Sequence, residues 1–380
     1  MRAIRGAWCA AAAFMVAALV TPLSAADQKP AAGTPSAAFD RVSKQATDAR
    51  AANRIPEAID LYRQALRLRP SWTEGWWFLG ELLYDQNEYA EARDALRQLI
   101  QLDRNSGPPF ALLGLCEFET KEYDQSLNHI YQARRLGLGD DPQVRRVVLF
   151  HQMLLLTRLG EFESAEQVLV KVIRDGGAGA AVIEAAGIAG LRRPIFPEDV
   201  PDADKDLIQR AGRTVFAMAS MDQDAAQKYF NELLAAYPKA PNVHYLYGTF
   251  LAQTDKDAGL AEFRKELEIN PKHTEALATI ALEYESRGDL DTAIPYARRA
   301  VEANGKYFGA HLVLGRLLAG SGEAEKGIQE LEIARDQAPD SPQVHFSLAT
   351  AYAMAGKKDD AARERSEFTR LKKLSDEISQ

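Results

Sequence analysis

Small and apolar residues recur along this chain at a spacing of 34 residues. Ala58, Ala92 and Ser126 follow one another at this interval, as do Gly80 and Gly114. The interval returns in the second half of the chain, at Gly259, Ala293, Gly327 and Ala361 and at Ala281, Gly315 and Ala349. Between these positions, apolar residues fall three or four apart, which is typical of one face of an α-helix. The pattern predicts repeated units of two amphipathic helices each.

Glycine and proline mark where the predicted helices pack and where they end. Gly80, Gly114 and Gly315 stand where two helix backbones must approach closely, which a larger side chain would prevent. Glycines that suit a left-handed cap fall at the expected ends of first helices, at Gly288, Gly322 and Gly356. Prolines fall where second helices should end, at Pro70, Pro238, Pro271 and Pro339. The chain is therefore predicted to be a series of helical hairpins.

The residues of the first helices follow a known motif. Trp76-x2-Leu79-Gly80-x2-Leu83 precedes Ala92-x3-Leu96, and Ala226-x3-Phe230 leads to Pro238. Later units keep the same phase, as in His311-x2-Leu314-Gly315. This pattern resembles the tetratricopeptide repeat, including its exported bacterial members. The resemblance implies an all-α, right-handed solenoid or superhelix, whose first helices line a concave face that binds extended or helical peptides.

Nine hairpins fit this phase, in blocks at residues 39–179 and 207–380. They are predicted to begin near Phe39, Thr73, Gly107, Arg146, Leu207, Pro241, Thr274, Phe308 and Pro342. Between the blocks, a short apolar helix near Ala181–Ala189 and a proline-rich stretch predict an irregular junction at residues 180–206. The charged last helix, Lys357 to Lys373, is interpreted as a solvating cap, with a basic docking helix as the alternative.

The first residues have the layout of a secretory signal peptide. Arg2 and Arg5 precede an apolar run from Ala7 to Val20, and small residues suit cleavage after Ala25 or Ala26. We expect residues 1–26 to be removed and the chain to be exported, periplasmic or secreted, with no integral membrane segment left. The alternative is an uncleaved membrane anchor, although the run is shorter than the roughly 20 residues that span a bilayer. Residues 27–38 are polar and contain prolines, which predicts a disordered tether.

Charge and cysteine content narrow the classes of partner. The chain has 46 basic and 54 acidic residues, and loss of Arg2 and Arg5 would take its net charge from −8 to −10. An acidic chain without a concentrated positive surface is not expected to bind nucleic acid. Only Cys116 would remain after cleavage, so no intramolecular disulfide is expected, and its apolar neighbours indicate a packing role.

The sequence holds no motif typical of catalysis, of metal binding or of a bound cofactor, so none of these is predicted. His244, His311 and His345 occupy the slot of successive first helices that Trp76 occupies earlier. Because that slot packs inside its own hairpin, these histidines are interpreted as core residues. An enzyme with its site at residues 176–206 is the least favoured alternative.

The outward side of the first helices is the predicted partner-binding surface. In the first block it would present Trp77, Glu81, Tyr84, Leu115, Phe118, Phe150 and Leu154; in the second it would present Tyr245, Thr249, Gln253, Arg316, Phe346 and Thr350. These residues suit an apolar peptide or helix anchored by aromatic contacts. The alternative is that part of this stripe packs against neighbouring hairpins. Trp76, by contrast, is expected to point into the core.

The sequence therefore predicts an exported adaptor that is not an enzyme and that binds a protein or peptide on its concave face. A structural component of a bacterial envelope complex, assembled through lateral surfaces, is the alternative function. Neither the partner nor the oligomeric state follows from the residues.

Overall fold

The computed structural model of the chain describes residues 35–139 and 141–379. The predicted signal peptide and residues 27–34 of the predicted tether lie outside the described residues. The described part consists of α-helices, short 3₁₀ turns and loops, without a β-strand. No helix within it has both the length and the apolar character needed to cross a membrane.

The first four hairpins pair consecutive helices. Their bounds are α1 Pro35–Ala51 with α2 Ile55–Leu68, α3 Thr73–Asp85 with α4 Tyr89–Leu102, α5 Gly107–Glu119 with α6 Tyr123–Leu136, and α7 Pro142–Leu159 with α8 Phe162–Arg174. A single helix, α9 Ala180–Gly190, follows, and then 3₁₀ turns at Pro197–Asp199 and Asp202–Asp204. The short apolar helix predicted near Ala181–Ala189 is thus confirmed.

Five further hairpins complete the described chain. They are α10 Lys205–Ala219 with α11 Gln223–Ala236, α12 Val243–Leu251 with α13 Lys256–Ile269, α14 Thr274–Ser286 with α15 Leu290–Ala303, α16 Phe308–Gly320 with α17 Ala324–Gln337, and α18 Pro342–Met354 with α19 Lys358–Ser379. The predicted all-α architecture of nine hairpins is confirmed.

Several hairpins begin at the expected residue, and two begin four residues early. The fourth starts at Pro142 and not near Arg146, because Asp141 caps the helix by accepting a hydrogen bond from the backbone N–H of Gln143 at 2.7 Å. Proline suits the first turn, whose N–H groups have no partner within the helix. The first hairpin starts at Pro35 and not near Phe39, so residues 35–38 of the predicted tether are helical.

The turns inside eight of the nine hairpins contain a residue with positive φ. Gly288, Gly322 and Gly356 have φ values of +75°, +93° and +76°, which confirms the predicted left-handed caps. Asn53, Asn87 and Lys121 occupy the equivalent turns of the first three hairpins, again 34 residues apart, with φ between +56° and +65°. The same left-handed conformation therefore occurs in hairpins that have no glycine at this turn position.

Small residues allow the two helices of a hairpin to touch. A Cβ atom built on Gly114 would lie 2.9 Å from Ile130 Cγ1 and 3.1 Å from the carbonyl oxygen of Ser126. At Gly80 it would lie 2.8 Å from Leu96 Cγ. Cβ atoms in proteins rarely approach other atoms so closely. The small residues that recur every 34 positions therefore mark the close contacts between the two helices of a hairpin.

The described residues form two compact units that interleave in sequence. The N-terminal unit comprises the residues up to Ala185 together with Pro194–Phe196. The C-terminal unit comprises Ala186–Arg193 and the residues from Pro197 onward. The change from one unit to the other falls inside α9 and the segment after it.

Candidate functional site

The first predicted contact residues lie on α3. Trp77 and Tyr84 are half-buried, whereas Glu81 is buried, with its carboxylate 3.8 Å from the guanidinium of Arg50. Burial raises the pKa of the Glu81 carboxyl to about 7, although the charge of Arg50 opposes this and Asp85 adds to it. Glu81 is therefore a buried carboxyl group beside Arg50, whereas the sequence predicted an exposed contact residue.

Three predicted contact residues of the N-terminal unit are core residues. Leu115 is fully buried, and Phe150 and Leu154 are nearly so. Leu115 lies on α5, which contacts α4 and α7 of the neighbouring hairpins as well as its own partner α6. Phe150 and Leu154 lie on α7, which contacts α5 and α6 of the preceding hairpin as well as its own partner α8. The expectation that these side chains point into a groove is wrong, and the alternative of packing between hairpins applies to them.

Phe118 is also buried, and the residue that covers it comes from a distant part of the chain. Its ring centroid lies 4.8 Å from that of His151 and 5.4 Å from that of Phe196. Phe196 also packs on Tyr123, with centroids 4.9 Å apart. The junction segment thus supplies the aromatic contact that we had assigned to a partner, and the expected exposure of Phe118 is wrong.

Tyr245, the first predicted contact residue of the C-terminal unit, is buried in a polar cluster. Its ring stacks on that of His273 at 4.7 Å, and its hydroxyl accepts a hydrogen bond from Arg192 at 3.1 Å. Arg192 also lies 3.4 Å from Glu275. Burial acts to raise the pKa of Glu275, but the hydrogen bond from His273 and the charge of Arg192 hold it at about 2. Tyr245 therefore has a structural role.

The remaining predicted residues of that stripe reach the surface. Thr249 is half-buried and its hydroxyl donates to the carbonyl of Leu246, while Gln253 and Thr350 are exposed. Arg316 and Phe346 are exposed as well, and they lie together at one cavity, described below.

Trp76 and the three histidines occupy equivalent positions of their first helices, and each contacts a backbone carbonyl oxygen at the end of the preceding hairpin. The Trp76 indole N–H donates to the carbonyl of Pro70 at 2.8 Å. Nε2 of His244, His311 and His345 contacts the equivalent carbonyl oxygen, six residues earlier, at 2.8–3.1 Å. Nδ1 of each histidine contacts a glutamate of the second helix at 2.5–2.6 Å, which confirms packing inside the hairpin. Trp76 itself is half-buried, so its expected core position is only partly correct.

Two of the exposed residues line a cavity of about 570 Å³ between α16, α18 and α19, which we call the C-terminal cavity. Its lining consists of Leu312, Arg316, Pro342, Gln343, Phe346, Ser347, Phe368 and Lys372. Phe346 is 57% exposed, and its ring centroid lies 5.4 Å from that of Phe368. Both oxygens of Glu285 accept hydrogen bonds from Arg316 Nη2, at 3.0 and 3.1 Å, which fixes the guanidinium.

Phe368 and Lys372 were not among the predicted contact residues, because the charged last helix was interpreted as a solvating cap, with a basic docking helix only as the alternative. The available signal was Phe368 itself, the single aromatic residue of a helix rich in charged residues. Its ring completes the apolar floor of the C-terminal cavity.

A second cavity, of about 610 Å³, lies in the N-terminal unit between α7, the end of α8 and the start of α9. Its floor is formed by Val147, Phe150 and Val182, and its polar groups are Gln143, Arg146 and Glu184. Arg146 donates to the carbonyl of Asp175 at 3.0 Å. The residues that line this cavity include no nucleophile beside a base.

The described residues hold no cluster of three or more histidine, cysteine, aspartate or glutamate side chains that could bind a metal ion. Cys116 is fully buried, and burial raises the pKa of its thiol well above the usual range. Its position agrees with the expected packing role, because a buried thiol stays protonated and unreactive.

Sequence models described as tetratricopeptide repeat match residues 43–107, 217–274 and 285–352, which together make up half of the chain. The chain belongs to the tetratricopeptide repeat family. Its hairpins, their phase and their close helix contacts have this origin, and the fold is that of a protein–protein interaction scaffold.

Among curated proteins, this tetratricopeptide repeat chain is similar to Protein O-mannosyl-transferase TMTC3. The Homo sapiens protein is 24% identical over 256 residues, which is 63% of this chain and 27% of that protein. The Mus musculus protein is 36% identical over 70 residues, or 18% and 8% of the two chains. The chain therefore spans about a quarter or less of the length of these relatives.

Solved structures with a similar fold include MamA and YrrB. A crystal structure of MamA is 18% identical, with a TM-score of 0.38, and the match covers 44% of this chain and 92% of that one. YrrB, described as a tetratricopeptide repeat protein with an unusual peptide-binding site, is 16% identical with a TM-score of 0.36, over 43% and 86% of the two chains.

Proposed function

We propose that this chain is a non-enzymatic adaptor that holds a peptide or protein segment against its first helices, with the C-terminal cavity as the principal site. The observation that carries the proposal is Phe346, a large aromatic side chain that is 57% exposed beside a second aromatic ring. Exposed aromatic surface in a concave site is a common feature of interfaces, and such residues are frequent binding anchors. A cavity of about 570 Å³ lies within the usual range for ligand pockets.

The test uses peptides selected from a displayed random library on the full-length chain. Phe346→Ala should weaken binding of the selected peptides by about 2 kcal/mol, because an anchoring aromatic side chain is lost. Its stability should change little, since the ring is largely in water. Ile333→Ala is the control, because Ile333 is a comparably exposed apolar residue on the second helix α17, outside the cavity. If the two variants bind the peptides equally well, the cavity is not the site.

We further propose a separate contact surface within the N-terminal unit, at Trp77 and Tyr84 of α3. Trp77→Ala should reduce partner binding by about 2 kcal/mol with little loss of stability. Trp76→Ala should instead lower the free energy of unfolding, because it removes both packing and the hydrogen bond to Pro70. Paired unfolding and binding curves for the two variants test this contrast. An equal loss of stability in both would place Trp77 in the core.

We also propose that the adaptor is exported after removal of its first residues. The support is the basic, apolar and small-residue order of residues 1–26. The intact mass of the exported protein should correspond to loss of 25 or 26 residues, and acidic replacements of Arg2 and Arg5 should leave the precursor unprocessed. A full-length mass would favour the membrane anchor. The transferase activity in the name of the TMTC3 relatives is not part of the proposal, because this chain spans only 27% of the human protein.

A further inference from the structure

We infer that the segment bound in the C-terminal cavity carries an acidic side chain beside its apolar anchor. This inference rests on the proposed function and deepens it, because it states the chemistry of the occupant. The lining carries two cationic side chains, Arg316 and Lys372, and none of the described residues that form it is acidic. The chain as a whole has a net charge of −8, so a cationic lining is contrary to its average composition.

Arg316 provides a fixed donor at one side of the cavity. Its Nη2 is held by both carboxylate oxygens of Glu285, at 3.0 and 3.1 Å. A guanidinium has five N–H donors, and this contact occupies only one of its nitrogens. The contact with Glu285 already orients the remaining N–H donors of Arg316. Binding of a second carboxylate therefore costs little additional side-chain entropy.

Lys372 adds a second positive charge to the lining of the cavity. Glu285 and Arg316 together carry no net charge, so the local sum with Lys372 is positive. Lys372 lies one helical turn after Phe368, and its Nζ is 6.0 Å from the centroid of that ring. The ammonium group is therefore next to the apolar floor formed by Phe346 and Phe368, where it can meet a carboxylate that adjoins a buried apolar side chain.

The arrangement distinguishes the two parts of the occupant. Leu312, Phe346 and Phe368 offer an apolar floor for one large aliphatic or aromatic side chain. The two cations stand beside this floor and favour Asp or Glu close in sequence to the anchor. Gln343 is exposed at the same cavity and can bond to the main chain of an extended segment.

The experiment measures residue preferences and coupling in the full-length chain. Peptides selected from the random library should be enriched in Asp or Glu near an apolar residue. Each selected peptide is then synthesised with its acidic residue and with the matching amide, Asn or Gln. In the wild-type chain, the change from acid to amide should weaken binding by about two- to fivefold, the range expected for partly exposed charge pairs.

Two variants assign that loss to the cavity. In the Lys372→Gln variant, acidic and amide peptides should bind with nearly equal affinity. Lys306→Gln is the matched control, because Lys306 is an exposed lysine of the same unit outside the lining, and the variant has the same net charge. Both variants change exposed side chains, so circular dichroism should show an unchanged fold.

The outcomes separate the two proposals. If peptides require Phe346 but bind equally well as acids and amides, the inference of an acidic occupant is overturned and the binding site stands. A loss that is the same in Lys372→Gln and Lys306→Gln also overturns it, because a general charge effect then accounts for the preference. If no selected peptide depends on Phe346, the proposed function fails instead.

Discussion

Gly315 provides the most direct test of how the hairpins are built. A Cβ atom added there would lie 2.6 Å from Leu331 Cγ and 2.8 Å from the carbonyl oxygen of Gly327 on the facing helix. The leucine could rotate, but the carbonyl belongs to the backbone of α17 and can move only with that helix. The contact is reciprocal, because a Cβ on Gly327 would lie 2.6 Å from the carbonyl oxygen of Gly315. Any side chain at Gly315 must therefore separate α16 from α17.

The expected magnitude follows from two opposing effects. Overpacking of a close contact costs about 1–3 kcal/mol, and replacing glycine by alanine inside a helix returns about 1 kcal/mol. Gly315→Ala should therefore lower the free energy of unfolding by about 0–2 kcal/mol, and Gly315→Leu by more. Gly320→Ala is the control: it is the same change in the same helix, at a position where an added Cβ meets no atom within 4 Å. That variant should be unchanged or slightly stabilised.

Urea unfolding followed by far-ultraviolet circular dichroism measures both variants. A lower midpoint for Gly315→Ala with an unchanged denaturant slope would report lost stability without a change in the surface exposed on unfolding. Repeat arrays can unfold in parts, so amide hydrogen exchange should locate the effect in α16 and α17. The reasoning is refuted if Gly315→Ala is as stable as Gly320→Ala, because the backbone contact would then not limit the packing.

Three further predictions concern stability. Met221 has φ of +60° and is 83% exposed. Met221→Gly should relieve backbone strain and raise the free energy of unfolding, measured by urea titration, by about 0.5–1 kcal/mol. A less stable variant would show that the backbone at Met221 is not strained. Because the folded-state pKa of Glu81 is raised to about 7, its contribution to stability is complete below about pH 4.5 and is lost as the pH rises through 7. Glu81→Gln should therefore stabilise the protein by about 3 kcal/mol at pH 8 and by little at pH 4.5, and unfolding curves that show the same gain at both pH values would rule this out. His345→Phe should lower the free energy of unfolding by about 1–3 kcal/mol, because the buried Glu364 and the carbonyl of Pro339 lose their hydrogen-bond partner on the ring. If the variant unfolds at the same temperature as the wild-type protein, these contacts do not contribute to stability.

The helices were predictable because their signals are local. The spacing of Gly80 from Gly114 and the positions of Gly288, Gly322 and Gly356 depend on contacts within one hairpin, which recur in several units. The start of α7 was less predictable, because a cap by Asp141 and Pro142 outweighed the repeat phase. Local rules therefore give the number and pairing of the helices, with errors at the first residues of individual helices.

The candidate site was predictable only in part, because periodicity identifies a face of a helix and not what covers it. Arg316 and Phe346 were identified correctly as exposed. Leu115 and Phe118 occupy comparable positions of their helices but are buried by α7 and by Phe196. Nothing in the repeat pattern indicates which neighbour reaches them. The contribution of Lys372 was equally hidden, since a charged terminal helix satisfies the ordinary need for a solvated end.

The position of Phe196 has a consequence for the modularity of the chain. Repeat arrays generally tolerate the loss or gain of whole units, because each unit contacts only its neighbours. Here the residue that covers Phe118 lies 78 positions later, after a stretch, Ala186–Arg193, that belongs to the other unit. A fragment that ends at Gly179 would keep the first four hairpins yet expose an aromatic cluster, whereas one that ends after Phe196 would carry part of the C-terminal unit. A single cut anywhere in residues 186–196 therefore leaves part of one unit attached to the other.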